Sequence, residues 1–546
     1  MSPGQIAVCI ISVYLLLLLG LGVLSNRAFR GTAADYFLAS RGIGSFLLLM
    51  SLFGTTMTAF ALVGSSGEAF KSGIGVYGKM ASWAGIVHSA CFFFVGIKLW
   101  AFGKRHGYVT QIQFFRDRFE SDRLGLLLFP ILVGLVIPYL LIGVIGAGTV
   151  ILKITPGAFP KMFPDTGGAV PFWVGAAVIC LVVLIYVFFG GVRGTAWANT
   201  FQTLVFIVLG VVTFSVVANR LGGIENATRM VQQHNPTKLK RGVTEQDEQA
   251  YHTALADYKH HETVIQPAKP HSITQLTFFS YLFIPLSVGM FPHLFQHWLT
   301  ARSARTFRLA VVAHPLLILL VWIPCVLIGV WATSAVVDGH AVIPPDLDNP
   351  NAVLAIMVRK LASPLLGGLL TAGILAAVMS SLDSQFLCIG SIFTNDIVGH
   401  YVGHDRLSDR SKVILGRAFV VLIVLVTYLL GVKFARTRSV YTLGIWCFSG
   451  FAGLFPLVFA AIYWRRVTKA GAYACVLATA STWIWLFAQS DYGARREFLF
   501  LDMMPVATII AASTAALIGV SALTRPPSSE TLDKFFAGRG RRAGAS

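Results

Sequence analysis

The chain has 546 residues, 55% of them hydrophobic and only 12% charged, with a mean hydropathy of +0.72. Soluble domains carry about 25% charged residues, so the composition excludes a soluble globular protein and points to a bilayer as the solvent. A formal net charge of +19 does not indicate nucleic acid, because the basic residues fall in alternate short loops between apolar blocks.

Apolar blocks of about 18 residues or more read as transmembrane helices, since lipid cannot satisfy open backbone groups. Taken along the chain, they predict about thirteen spans, near 5–25, 44–64, 77–102, 124–153, 172–192, 200–218, 275–299, 309–336, 364–395, 413–433, 440–463, 470–489 and 503–523. The first block has no basic start and is followed by Asn26-Arg27, so it reads as a span and not as a signal peptide. Asn226-Ala227-Thr228 matches a glycosylation sequon, a pattern too common by chance to carry weight.

In the second span, Gly54, Thr55, Thr56 and Thr58 place a polar, helix-weakening patch in mid-membrane. A proline-punctuated connector follows the fourth span, from Ile154 to Pro164. The largest hydrophilic stretch runs from Arg220 to Ser272, and Glu245 to Asp257 within it, free of Gly and Pro, predicts a short surface helix. Its readings are a solvated loop or a lid. The seventh span carries Pro285, Gly289 and Pro292. Two interrupted spans five apart are what inverted-repeat transporters use to expose carbonyls and half-helix ends near the midplane. The alternative is that such residues serve helix packing.

In the ninth span, Ala377, Ser380, Ser381 and Ser384 share a helix face, and hydroxyls with a carbonyl suit a hard monovalent cation. Asp383 is the only carboxylate placed well inside a predicted span. A charged Asp there costs about 2.5–3.5 kcal/mol on insertion scales, so such residues are usually functional or paired. The alternative is a protonated, hydrogen-bonded structural Asp. His88, His293 and His314 are intramembrane histidines whose plainer reading is structural. The seven cysteines all fall in spans without metal-ligand spacing, which predicts small core residues and no disulfides.

Basic residues such as Arg27, Arg30, Arg41, Arg116, Arg302, Arg410 and Arg465 mark the cytoplasmic loops by the positive-inside rule. That puts the N-terminus outside and the C-terminus inside, with the connector Lys433 to Arg438 as a local exception. Gly538 to Ser546 predicts a disordered tail.

Several stretches resemble the solute:sodium symporter family. Asp35-Tyr36-Phe37-Leu38-Ala39-Ser40-Arg41 is similar to the segment that leads into that family's first core helix. Gly190-Gly191-Val192-Arg193 through Trp197-Ala198-Asn199 to Gln202 is similar to its GG-x-R signature, and Gly373 to Ser381 resembles its sodium/proline permease branch. Asp383 resembles the pantothenate permease branch, and Pro292-His293 the proline type. The resemblance implies an all-α polytopic membrane protein with a leucine-transporter-type core of five plus five inverted helices, working by alternating access. Residues 1–43 would then hold a peripheral helix and loop, 44–463 the core, 464–524 two peripheral helices and 525–546 a cytoplasmic tail.

By the same resemblance, sodium falls to Gly54, Met57, Ala377, Ser380 and Ser381, and a second cation position to Asn199, Asp383 and Ser384. The solute would meet Thr56, Thr58, Phe60, Tyr139, Ile284 and Val288. Two departures stand out: the family's Trp-Thr-Asp is Trp197-Ala198-Asn199, and Asp383 replaces a common Ser or Thr. A carboxylate lost from one core helix is thus regained on another. Apolar Ile284 and Val288 argue against proline. The stretch Gly67-Glu68-Ala69-Phe70 to Gly73 resembles animal anion-carrying members, which implies a monocarboxylate-like solute, while the resemblance at Asp383 implies a pantothenate-like one.

The expected function is sodium-coupled symport of a small organic solute across the plasma membrane, with lipid as the other partner and nucleic acid excluded. Proton coupling through Asp383 and a transporter-like sensor are the alternatives. A membrane enzyme would need a catalytic His-Asp or Asp-Asp pair on an aqueous loop, and the sequence offers none beside a plausible cleft.

Overall fold

The computed structural model describes residues 1–26, 32–78, 80, 83–260, 265–344, 347–403, 406–435, 439–495 and 498–536. Arg27, Arg30, residues 436–438 of the Lys433 to Arg438 connector and the tail from residue 537 lie outside the described residues.

Among the described residues, thirteen spans account for most of the helix. They are α1 (Pro3–Asn26), α2 (Ser45–Thr56 with Phe60–Ser72), α3 (Trp83–His106), α4 (Asp122–Ile154), α5 (172–190), α6 (192–220) and α7 (Gln275–Gly289 with Pro292–Thr300). After them come α8 (Ala304–Trp331), α9 (Pro364–Val402), α10 (Asp409–Phe434), α11 (Val440–Tyr463), α12 (Lys469–Gln489) and α13 (Pro505–Leu523). The predicted spans 172–192 and 200–218 have no connector between them. Their helices run on as one 49-residue stretch, turned at Gly191 with φ 54° and ψ −160°. At 1.5 Å per residue that stretch is over twice the hydrocarbon thickness, so it counts as two spans.

Both interrupted helices are broken. The two halves of α2 meet at 52°, and so do the two halves of α7. In α2 the break falls at Met57 (φ −87°, ψ 79°). The polar patch supplies its own repair: the Thr58 hydroxyl accepts from the Phe60 N–H at 3.0 Å, as an N-cap does. In α7, Pro285 sits in a 3₁₀ stretch, Tyr281–Gly289. Pro292 then opens the second half from an extended Phe291, where a missing N–H costs nothing. A third discontinuity, at Leu454 in α11, precedes Pro456, which sits in the first turn of the second piece.

α9 is the hub. It packs against α1, α4, α5, α6, α10, the first half of α2 and the second half of α7, and Leu370 to Ile392 are buried throughout. The two motifs that resembled family signatures also meet. Arg193 donates to the buried Asp35 carboxylate at 2.7 Å, and Gly191 lies against the Tyr36 backbone.

Outside the spans, the expected surface helix is present as Glu245–Lys259, started by a Thr244 capping box and burying none of its residues. Asn235 fastens the loop before it, donating at 3.0 Å to the Thr333 carbonyl and to Ser334. At the other face the helix Ser529–Phe536 docks on the turn between α3 and α4. There Lys534 meets Asp117 at 2.6 Å, Ser528 donates to Glu120 at 2.5 Å, and Thr531 donates to the same carboxylate. Phe535 packs on Phe102, Phe114 and His106.

Candidate functional site

The break in α2 creates the first element of the site. The last carbonyls of a helix lack intrahelical donors, and at Ser45–Thr56 these carbonyls lie inside the bundle. Gly54 allows the close approach there, because a Cβ at 54 would overlap the Thr203 hydroxyl and come within 3.6 Å of the Ser380 hydroxyl. The Ser380 hydroxyl on α9 lies within donating distance of the Gly54 carbonyl at 2.8 Å and the Ala377 carbonyl at 2.9 Å, its one proton shared between them. Three oxygens from two helices therefore converge on one point. Ser381 does not join them: its hydroxyl donates to Val378 of its own helix at 2.9 Å. That i−3 bond is the default for a serine in a helix. Met57 is fully buried at the break.

One turn further along α9 lies a second polar cluster. Asp383 is fully buried and accepts from the Tyr186 hydroxyl at 3.0 Å and the Ser384 hydroxyl at 3.0 Å. With its amide nitrogen facing the carboxylate, Asn199 donates to Asp383 Oδ2 at 2.8 Å and Oδ1 at 3.1 Å, and to the Ser380 carbonyl at 3.2 Å. Three donors on one carboxylate are the complement of an acceptor-only group. Ser384 is the centre of the cluster, with Thr55 Oγ1 and His297 Nε2 each at 3.0 Å. The residues expected for the two cation positions are thus neighbours, joined through Ser380. Sequence reasoning missed Thr55, Tyr186 and His297. Thr55 stood in the polar patch, whereas Tyr186 and His297 had no local signal.

Asp383 is not alone as a buried carboxylate. Asp35 and Asp396 are buried as well, and Asp396 lies beside Arg116, whose Nη2 donates to its backbone carbonyl at 2.8 Å. Asp396 sits at the end of α9, beyond the predicted span limit of 395.

Between the broken helices, α3, α4, α8 and α11 lies a cavity of about 40 Å³, close to the share of one water molecule. Thr56, Phe60, Tyr139 and Ile284 line it, as expected for a solute site, and Met57 shares the wall. Thr58 and Val288 do not line it: Thr58 is spent on capping, and Val288 is buried elsewhere on α7. His88, Tyr281, Ser287, Phe291, Trp322 and Phe448 also line the wall. None of these was legible as a set, because they come from four elements far apart in sequence. The rings form a box, with Phe60 perpendicular to Phe448 at 5.0 Å and Phe448 perpendicular to Tyr139 at 5.0 Å. Among the described residues no Asp, Glu, Lys or Arg lines the cavity.

Of the intramembrane histidines, His314 bonds Thr56 Oγ1 at 3.1 Å. His293 stacks on Phe291 at 5.2 Å with neither ring nitrogen bonded.

Residues 36–478 match the Sodium:solute symporter family. The chain belongs to that family. Among curated relatives, the sodium/proline symporter of Staphylococcus aureus is 24% identical over 485 residues, covering 85% of this chain and 82% of that one. Among solved structures, a substrate-bound, outward-open sodium-coupled sialic acid symporter superposes with a TM-score of 0.72 at 18% identity. It covers 96% of this chain and all of that one. Mhp1, a nucleobase-cation-symport-1 family transporter, superposes at 0.52 with 13% identity, covering 91% and 97%. The fold is therefore the leucine-transporter type. The chain is a multi-pass membrane symporter of the sodium-coupled class and not an enzyme.

Proposed function

We propose that this symporter moves a small organic monoanion into the cell with sodium, by alternating access of the core 44–463, with α1, α12 and α13 peripheral. The observation that carries the reading is the Ser380 hydroxyl held between the Gly54 and Ala377 carbonyls at the break of α2. A sodium ion takes oxygen ligands, and this set is neutral, hydroxyl and carbonyl only. Met57 supplies a further carbonyl at the break, and Ser381 joins by a rotamer change that releases Val378. The Asn199, Asp383 and Ser384 cluster serves as a second cation position on the cytoplasmic side, where a charge leaving the bundle needs a compensating one in low dielectric. The N-terminus faces outward and the tail faces the cytoplasm.

The solute occupies the aromatic cavity at Thr56, Phe60, Tyr139 and Ile284, after the rings separate to admit more than one water's volume. Proton coupling is the second reading, favoured by Asp383 with its Tyr186 contact. Proteoliposome uptake of labelled propionate and pantothenate, under a sodium gradient or a proton gradient imposed separately, decides between them. Sodium-driven accumulation that a proton gradient does not replace is expected. Accumulation on a proton gradient alone assigns the coupling to Asp383 instead.

A further inference from the structure

The short helix Gln111–Arg118, between α3 and α4, opens with a Thr110 capping box, and three of its buried side chains each hold a different span. Gln111 donates to the Met290 carbonyl at 3.2 Å, in the gap between the two halves of α7. Arg116 donates to the Asp396 carbonyl at 2.8 Å, and its guanidinium lies 3.8 Å from that residue's carboxylate. Asp396 sits in a π-helical turn of α9, Phe393–Val398, a local widening that often marks a functional site. Arg118 donates to the Ala461 carbonyl at 2.9 Å and the Trp464 carbonyl at 3.3 Å, at the end of α11. One short helix thus clamps α7, α9 and α11 together at one face. His297 of α7 meets Ser384 of α9 at 3.0 Å, so a way out by this face needs the two helices to part across the clamp.

The helix Ser529–Phe536 is seated on that clamp. Lys534 pairs with Asp117, the residue between the two arginines, at 2.6 Å. The Phe535 and Phe536 rings lie 5.8 and 5.1 Å from the Arg118 guanidinium. Arg465, just beyond α11, donates to the Phe536 carbonyl at 3.3 Å. The Lys534 and Asp117 side chains are 37% and 29% exposed, and ion pairs so open to water are weak. So short a helix does not hold its shape alone in water, so leaving the seat melts it. Order–disorder exchange of this kind is one way a segment acts as a switch.

We propose that Ser529–Phe536 is a latch on transport: seated, it holds the clamp across α7, α9 and α11 and keeps this face shut; unseated, it lets the face open. Contacts that the tail makes only with the closed form bias the protein toward that form by their own free energy. The inference rests on the symport reading only for its direction, in which this face is the cytoplasmic one.

Hydrogen exchange of the purified full-length chain, in nanodiscs with sodium, tests it. Residues 289–295 and 393–402 make no hydrogen bond or ring contact with the tail helix among the described residues. Lys534→Ala with Phe535→Ala should unseat the helix and speed exchange at both stretches about tenfold, as loss of a buried aromatic implies. The opposite variant carries Lys534→Cys, Asp117→Cys and Cys9→Ser, joined by a reducible bismaleimide. It should slow exchange at both stretches, and reductant should restore the faster rate. The latch is overturned if only 111–120 and 529–536 exchange faster in the first variant, or if the joined protein exchanges at 393–402 as the parent does. Protease treatment of right-side-out vesicles separates the two readings. Faster exchange with a tail cut from outside keeps the latch and defeats the orientation. Unchanged exchange with a tail protected inside does the reverse.

Discussion

Asn199 on α6 and Asp383 on α9 hold one carboxylate and one amide between them. Their side chains touch at 2.8 Å, so exchanging acid and amide moves the charge by only one contact. Asn199→Asp combined with Asp383→Ser should therefore retain sodium-driven uptake, while Asp383→Ser alone should lose uptake or its cation dependence. Uptake by each variant in proteoliposomes checks this. Normal transport by Asp383→Asn at every pH would show that the carboxylate is structural. The shared face of Ser380 and Ser384 was legible because serines spaced three and four apart fix a helix face without any tertiary knowledge, whereas their cation role was an expectation from the family resemblance. Ser381 shows the limit: spacing places a side chain on a face, but its rotamer is set by a local bond to Val378.

At the scale of elements, the breaks in α2 and α7 were legible from glycine, proline and threonine, whose backbone effects are local. The turn at Gly191 was anticipated as a loop, because two apolar blocks with Arg193 between them look like two spans and a connector. No loop separates the two helices there, and Arg193 reaches the Asp35 carboxylate at 2.7 Å. Gly191 has a backbone conformation open to glycine alone, and a Cβ would come within 2.8 Å of the Tyr36 carbonyl. Gly191→Ala should cost about 1–3 kcal/mol from conformation alone, read as a lower thermal unfolding midpoint in detergent. An unchanged midpoint would mean that the turn is free to relax. The aromatic cavity was the least legible element, because its walls depend on how distant helices cross, which no local pattern encodes.

At the scale of the molecule, the helix Ser529–Phe536 ties the chain's end to the turn between α3 and α4. Hydrogen bonds from Ser528 and Thr531 hold the Glu120 carboxyl below its ordinary value. A group lowered on docking contributes above its ordinary range and loses that contribution as pH falls through its docked value. Amides of 529–536 should therefore be protected from hydrogen exchange at neutral pH and lose protection below about pH 4.5, near the ordinary Glu value. Glu120→Gln should show the weaker protection already at neutral pH. Equal protection at both pH values would assign the docking to Phe535 and Lys534 alone.

Sodium symport by this chain requires a cation held where α2 breaks against α9, and ²²Na⁺ binding to the purified chain tests that requirement without knowledge of the solute. Saturable binding is expected, displaced by unlabelled sodium but not by potassium, and weakened about tenfold by Ser380→Ala, as loss of a ligand to a charged partner implies. No saturable binding, or equal binding by the parent and Ser380→Ala, would contradict it.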